Sequence, residues 1–285
     1  MKLAIASGKG GTGKTLLATN LAIVAGKPVQ LLDCDVEAPN CHLFLKPVRE
    51  VIERVEVPVP RVDEQKCNAC GKCGEICQFS AIVSLLTKPL VFPELCHSCG
   101  GCLRVCPEGA ITEQGREVGT IETGRAGAVE FAAGRLRVGE AMAPPLIRAV
   151  KRYAKNNGLV ILDAPPGTSC PVIQTVKGCD YVILVTEPTP FGLNDLKLAV
   201  EMVRELAIPF GVVVNRFGIG DDRVHGFCGD EAIPILLEIP DDRRIAEAYS
   251  RGRLIVEALP EYRVSFQNLL AKALQSGRAG RVSPV

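Results

Sequence analysis

One run of nine residues constrains this chain more than any other feature: Ser7-Gly8-Lys9-Gly10-Gly11-Thr12-Gly13-Lys14-Thr15, directly behind the apolar stretch Leu3-Ala4-Ile5-Ala6. It fits G-x-x-x-x-G-K-S/T, a phosphate-cradling loop between a strand and a helix. Glycines let successive backbone N–H groups converge on one anion, and the positive end of the following helix adds to the attraction. Gly8, Gly10, Gly11, Thr12, Gly13, Lys14 and Thr15 are therefore candidates to hold a nucleotide's phosphates. Lys14 would reach the terminal phosphates and Thr15 would offer its hydroxyl to Mg²⁺. The plainer alternative is a glycine turn that merely joins strand to helix. The flanks, apolar before and helical after, favour the phosphate site.

At 285 residues the chain can bury a sizeable core. With 33 basic and 32 acidic residues it has no charge excess to suggest a dedicated nucleic-acid surface. No apolar run approaches bilayer length, and too few apolar residues precede the glycine loop for a signal peptide. A cytoplasmic location without membrane insertion is expected. A reducing compartment does not sustain a disulfide framework, so the 13 cysteines need another explanation.

Eight of the cysteines fall in two matching blocks, Cys67-x-x-Cys70-x-x-Cys73-x-x-x-Cys77 and Cys96-x-x-Cys99-x-x-Cys102-x-x-x-Cys106-Pro107. This is the bacterial ferredoxin spacing, in which three close cysteines hold one cluster and the fourth ligates the other. The blocks form an internal repeat offset by 29 positions, sharing also Gly71/Gly100, Ala81/Ala110 and Ile82/Ile111. The expectation is two 4Fe–4S clusters, one on Cys67, Cys70, Cys73 and Cys106, the other on Cys96, Cys99, Cys102 and Cys77. Zinc sites use C-x-x-C pairs, and the third and fourth cysteines of each block would be superfluous for them. Gln78 follows Cys77 where the pattern usually has proline, which bears on the local turn rather than on ligation. Cys34, Cys41, Cys170, Cys179 and Cys228 show no ligand spacing and read as buried apolar filler, Cys170 lying near the proposed nucleotide site. His225-x-x-Cys228 is half a metal site with nothing nearby to complete it.

Apolar runs at 29–33, 159–162, 181–185 and 210–214 read as buried parallel strands, with helices over about 16–25, 171–177, 193–206 and 221–231. The alternation predicts an α/β fold with a doubly wound, mostly parallel sheet and ligand chemistry at the strand C-termini. An inserted small α+β ferredoxin-like domain is expected over 60–113, between phosphate-loop domain segments 1–59 and 114–285, with Val57-Pro58-Val59-Pro60 as its entry linker. A hairpin is expected between about 115 and 140, a helix over about 145–156, and a frayed basic tail after Ser276.

Lys9 is a second lysine inside the glycine run, and Lys-Gly-Gly-x-Gly-Lys-Thr resembles the deviant phosphate loop of the MinD, Mrp and nitrogenase iron protein superfamily of ATPases. Asp33-Cys34-Asp35 before Val36-Glu37-Ala38-Pro39-Asn40 resembles that family's switch I. By this resemblance Asp35 aligns the attacking water and Asp33 supports the metal shell. Asp163, followed by Ala164-Pro165-Pro166-Gly167, looks like the aspartate that reaches Mg²⁺. Asn215 resembles the family asparagine that reads adenine's edge, and Pro240-Asp241 the segment lining the base pocket. Lys9 in the family reaches across a two-fold dimer to the partner's nucleotide, which implies an ATP-dependent homodimer. The resemblance implies slow ATP hydrolysis with Mg²⁺, coupled to electron transfer through the clusters to a protein partner. Two alternatives are a cluster assembly scaffold or carrier, and a positioning ATPase like MinD itself.

Overall fold

A computed structural model describes residues 1–26, 28–85 and 88–279. Eleven strands occur among them: β1 Lys2–Ala6, β2 Val29–Asp33, β3 Val48–Val62, β4 Ile82–Ser84, β5 Pro89–Val91, β6 Ile111–Ala126, β7 Val129–Leu136, β8 Leu159–Asp163, β9 Tyr181–Thr186, β10 Phe210–Phe217 and β11 Ile235–Pro240. The α-helices are α1 Lys14–Val24, α2 Cys41–Leu45, α3 Lys72–Ile76, α4 Gly101–Val105, α5 Pro144–Lys151, α6 Cys170–Val176, α7 Pro190–Glu205, α8 Arg223–Asp230, α9 Arg243–Ser250, α10 Ile255–Ala258 and α11 Arg263–Ala279. The tail expected to fray after Ser276 is helical to Ala279, and residues 280–285 lie outside the described residues.

Nine strands form one sheet in the order β11-β10-β9-β1-β8-β2-β7-β6-β3. From β11 to β7 every pairing is parallel, while β6 runs antiparallel to both β7 and β3. Strands covered on both faces read as unbroken apolar runs, which is why they are legible in the sequence. The faces divide by alternation. Leu3, Ile5, Leu31 and Ile161 pack on the side of α1 and α11, whereas Ala4, Ala6, Leu32 and Leu162 belong to the opposite core. Helix α1 buries ten of its eleven residues because sheet, α10 and α11 surround it.

The segment read as a linker is strand instead. Val57–Pro60 lie inside β3, whose fifteen residues span roughly 50 Å at about 3.3 Å per residue. Prolines are tolerated there because β3 is an edge strand and has a free side. The expected hairpin is present as β6 and β7, but β6 continues past it to pair with β3 from Arg125 to Ile111. Gly119 pairs with both Val55 and Leu136, the last residue of β7, so beyond this level only β3 and β6 continue. They form a two-stranded ribbon that leaves the sheet at the end where the parallel strands terminate. At its tip lie both cysteine blocks, α3, α4 and the β4–β5 pair.

Candidate functional site

The glycine run sits between β1 and α1 at the C-terminal edge of the sheet, as its pattern requires. Gly13 has φ 100°, and a Cβ there would come within 2.5 Å of Asn215 Nδ2. Gly8 is needed for another reason: a Cβ would collide with the backbone carbonyl of Asp195 in α7. Lys14 is buried and donates to Ser7 Oγ at 3.0 Å. Burial lowers its pKa, opposed by the nearby charges of Asp163 and Asp35.

The carboxylates meet through sheet register. Adjacent strands β2 and β8 pair Asp33 with Asp163, so both fully buried carboxyls end side by side. Thr15 donates to Asp163 Oδ2 at 2.7 Å, while Asp163 Oδ1, also buried, has no partner. A hydroxyl beside an orphaned buried carboxylate oxygen, at the start of the phosphate loop's helix, is a donor set that fits Mg²⁺. Asp33 accepts backbone N–H groups from Asp35, Asn40 and Cys41 at 3.0–3.2 Å, and so organises the loop after β2. Burial, then the charge of Asp163, raises its pKa well above the ordinary range. Asp35 faces the cleft, its pKa pushed to about 6 by burial and then by Asp163.

The cleft beside the loop has a volume of about 460 Å³ and is lined by Gly10, Gly11, Gly13, Lys14, Thr15, Asp35, Asn215, Pro240, Asp241 and Tyr249. That is within the ~300–1,000 Å³ of small-molecule sites. Asn215, 203 positions away in sequence, donates from Nδ2 to the Thr12 carbonyl at 2.8 Å and braces the loop. Lys9, which the sequence leaves without work in its own site, lies 3.0 Å from Glu187 Oε2, and Arg216 approaches the same carboxylate at 3.5 Å. Glu187 carries no motif that would single it out in the sequence.

The cysteine repeat is also a repeat of conformation. Ala69 and Ser98 both have left-handed φ, as do Gly71 and Gly100, and Ser80 and Gly109. Backbone N–H groups point at sulfur in matching places: Ala69 to Cys67 and Ser98 to Cys96, Ala81 to Cys77 and Ala110 to Cys106, all at 3.3–3.5 Å. Gln78 does not disturb this, since Cys77 and Cys106 have nearly the same backbone (φ −78°, ψ 98° and φ −75°, ψ 111°). Two cavities result. One is lined by Cys67, Cys70, Cys73 and Cys106, the other by Cys96, Cys99, Cys102 and Cys77. Each joins three cysteines of one block to the fourth of the other. Among the described residues, the one set of three or more acid, thiol or imidazole groups with ligand atoms mutually within 4.8 Å is Asp33, Cys41 and Asp163, which excludes these cysteines. A single tetrahedral zinc would draw its sulfurs to about 3.8 Å of one another, from Zn–S bonds of about 2.3 Å. Each cavity gathers four thiols, two of which accept backbone N–H groups, a donor set that a thiolate-held inorganic cluster would use.

Of the other five cysteines, Cys34, Cys41, Cys179 and Cys228 are buried as expected. Cys170 is not filler: it is exposed, at the first position of α6. Cys41 is more than filler, because its Sγ lies 3.2 Å from Asp163 Oδ2. His225 pairs with Glu238 and belongs to no such ligand set among the described residues. No helix among the described residues is long and apolar enough to cross a membrane.

Comparison with known proteins agrees with this geometry. The family model of the CobQ/CobB/MinD/ParA nucleotide binding domain matches residues 3–255. An uncharacterized protein of Methanocaldococcus jannaschii is 38% identical over 84% of this chain and 86% of its own length. An iron-sulfur cluster carrier protein of Aquifex aeolicus is 25% identical over 92% of this chain and 64% of its own. Among solved structures, the septum site-determining protein MinD of Pyrococcus horikoshii, complexed with Mg-ADP, superposes with a TM-score of 0.59 at 19% identity. That alignment covers 100% of this chain and 99% of the other, and it speaks to the fold.

Proposed function

Because the chain belongs to the CobQ/CobB/MinD/ParA nucleotide-binding family, we propose that it is an ATP-hydrolysing iron–sulfur protein that couples nucleotide state to electron transfer. Its class, a P-loop ATPase of the MinD/ParA type, comes with the family and fold. The iron–sulfur part rests on one observation: two cavities, each lined by three cysteines of one block and the crossing fourth of the other. Those cysteines would hold two 4Fe–4S clusters in a ferredoxin-like insert over 60–113. Such clusters, when bound, supply one-electron redox centres.

In the ATPase site Lys14 neutralises terminal phosphate charge while Thr15 and Asp163 hold Mg²⁺. Asp35 orients the attacking water and Asp33 keeps the surrounding loop in place. Asn215 braces the phosphate loop through one amide N–H, and its amide oxygen remains available to a base. Pro240 and Asp241 line the base end of the cleft, and Lys9 serves the nucleotide of a second copy.

Anaerobic purification tests the reading. The protein should be brown and carry about eight iron and eight sulfide per chain, as two 4Fe–4S clusters require. Cys77→Ser and Cys106→Ser should each damage the cluster anchored mainly by the opposite block, visible by electron paramagnetic resonance. Stoichiometric zinc without sulfide would overturn it.

A second reading, a carrier that hands its clusters on, is favoured by the name of the Aquifex aeolicus relative. Incubation with an apo-acceptor distinguishes the two. ATP-dependent loss of iron to the acceptor supports the carrier, and reduction of the acceptor's own centre supports electron transfer.

A further inference from the structure

We propose that Asp33, Cys41 and Asp163 form a second cation subsite behind the Mg²⁺ position, one that takes a thiophilic divalent cation such as Zn²⁺. The inference rests on the nucleotide-site reading above. All three residues are fully buried, and their ligand atoms lie mutually within 4.8 Å. Asp163 Oδ1 has no hydrogen-bond partner, and Oδ2 is shared by Thr15 Oγ1 and Cys41 Sγ. Two carboxyls and a thiol buried together call for a cation. The nearby Lys14 ammonium donates to Ser7 rather than to either carboxyl.

The choice of cation follows from the donors. Mg²⁺ takes oxygen ligands in an octahedron and gains nothing from a thiol. Zn²⁺ is borderline soft and accepts mixed sulfur and oxygen sets. With Zn–S about 2.3 Å and Zn–O about 2.0–2.2 Å, a tetrahedral ion sets sulfur and oxygen roughly 3.5 Å apart. The Cys41 Sγ–Asp163 Oδ2 distance is 3.2 Å. Asp33 accepts three backbone N–H bonds but keeps lone pairs for a metal. Water or a phosphate oxygen would complete the shell. Binding releases to water the thiol proton and any proton held by the two carboxyls. It also draws Asp163 off Thr15 and ties the loop after β2, so the occupied subsite acts as a brake on Mg²⁺-dependent hydrolysis.

The test uses the full chain with its iron intact and its nucleotide removed, titrated with Co²⁺ and then Zn²⁺. Wild type and Cys34→Ser, which lacks a neighbouring buried thiol outside the set, should bind one equivalent of Co²⁺. A thiolate-to-cobalt charge-transfer band should appear and be displaced by Zn²⁺. Cys41→Ser should lose that band, and Zn²⁺ inhibition of ATP hydrolysis should weaken at least tenfold. X-ray absorption of the Zn²⁺-loaded wild type needs no variant, and should give one sulfur with oxygen neighbours. An all-sulfur shell, an unchanged band in Cys41→Ser, or no cation beyond the iron would overturn the proposal. If wild type also fails to bind Mg-ATP, the nucleotide-site reading falls with it. If Mg-ATP binding is intact, only the thiolate subsite falls.

Discussion

Asp35 lines the cleft with Lys14 and feels the charge of the buried Asp163, and its behaviour follows from that setting. Burial first, and the Asp163 charge second, lift its pKa from 3.8 to about 6. A carboxyl that is harder to ionise when folded contributes stability below its unfolded pKa, and the contribution is lost as pH rises through the folded value. In chelator, without nucleotide, the melting temperature should therefore fall between about pH 4 and pH 6. Asp35→Asn should flatten that decline, and an unchanged slope would assign it to Asp33 and Asp163 alone. In turnover assays Asp35→Asn should spare nucleotide binding and cost about 10²–10⁴-fold in rate, the range for a group that positions or activates a nucleophile. Lys14→Ala should abolish hydrolysis, because the other lysine of the loop, Lys9, is held 3.0 Å from Glu187 and does not replace it. Wild-type rates in both variants would place the chemistry in another site.

At the scale of elements, the ribbon of β3 and β6 decides how the cysteine module is held. Its base is pinned by Arg116 of β6, buried, paired with the buried Glu140 that follows β7. Glu140 also accepts the backbone N–H of Met142 at 3.1 Å, which fixes the turn after β7. Removing Arg116 leaves the Glu140 side chain with only the more distant Arg137, 3.9 Å away, and breaking such a buried pair costs up to about 3–5 kcal/mol. Arg116→Ala should thus lower stability by that amount in chemical denaturation, while Arg54→Ala on the exposed part of β3 should cost under about 1 kcal/mol. Equal effects would mean that the ribbon base is not specially anchored.

For the whole molecule, the question is how a nucleotide could be felt at the cysteine cavities. The chain leaving Asp35 does not run straight to the module, because it first forms α2 and only then enters β3 at the far end of the sheet. A shorter physical link exists. Val36 carbonyl accepts the Leu136 N–H at 2.8 Å, and Arg137 N–H donates to Val118 of the ribbon base at 2.9 Å. A ligand that orders the loop around Asp35 thereby acts on the ribbon through two hydrogen bonds. Coupling of about 1–3 kcal/mol changes an affinity or accessibility by about 5–150-fold. ATP, but not ADP, should alter chelation rates or reduction potentials of the proposed clusters. Identical values in apo, ADP and ATP states would mark the module as a passive tether. Lys9 gives a second test at this scale. It pairs in cis with Glu187, so reaching a second copy requires exchanging that partner. Sedimentation with ATP and Asp35→Asn should show a dimer that Lys9→Ala weakens. An unchanged monomer would remove the trans role.

Contact range separates what was legible in the sequence from what was not. The phosphate loop and both cysteine blocks were legible as patterns, because each is a short stretch of chain with its own residue spacing. The parallel strands were legible for a related reason, since burial on both faces makes them continuously apolar. The edge strand β3 was not. Only one side of it is covered, and Val48, Val51 and Ile52 stand exposed among charges, so its pattern resembles a linker. Cys41 was read as filler because nothing in its neighbourhood of sequence reveals Asp163, 122 positions on. Glu187 was invisible for the same reason, its partners Lys9 and Arg216 lying on other elements. The sequence by itself determined which groups lie close together along the chain, in the glycine run and in the two cysteine blocks. Only the tertiary structure, through the in-register pairing of β2 with β8 and the rise of β3 beside β6, decided which distant groups share a site, because strand register is set by packing across the whole sheet.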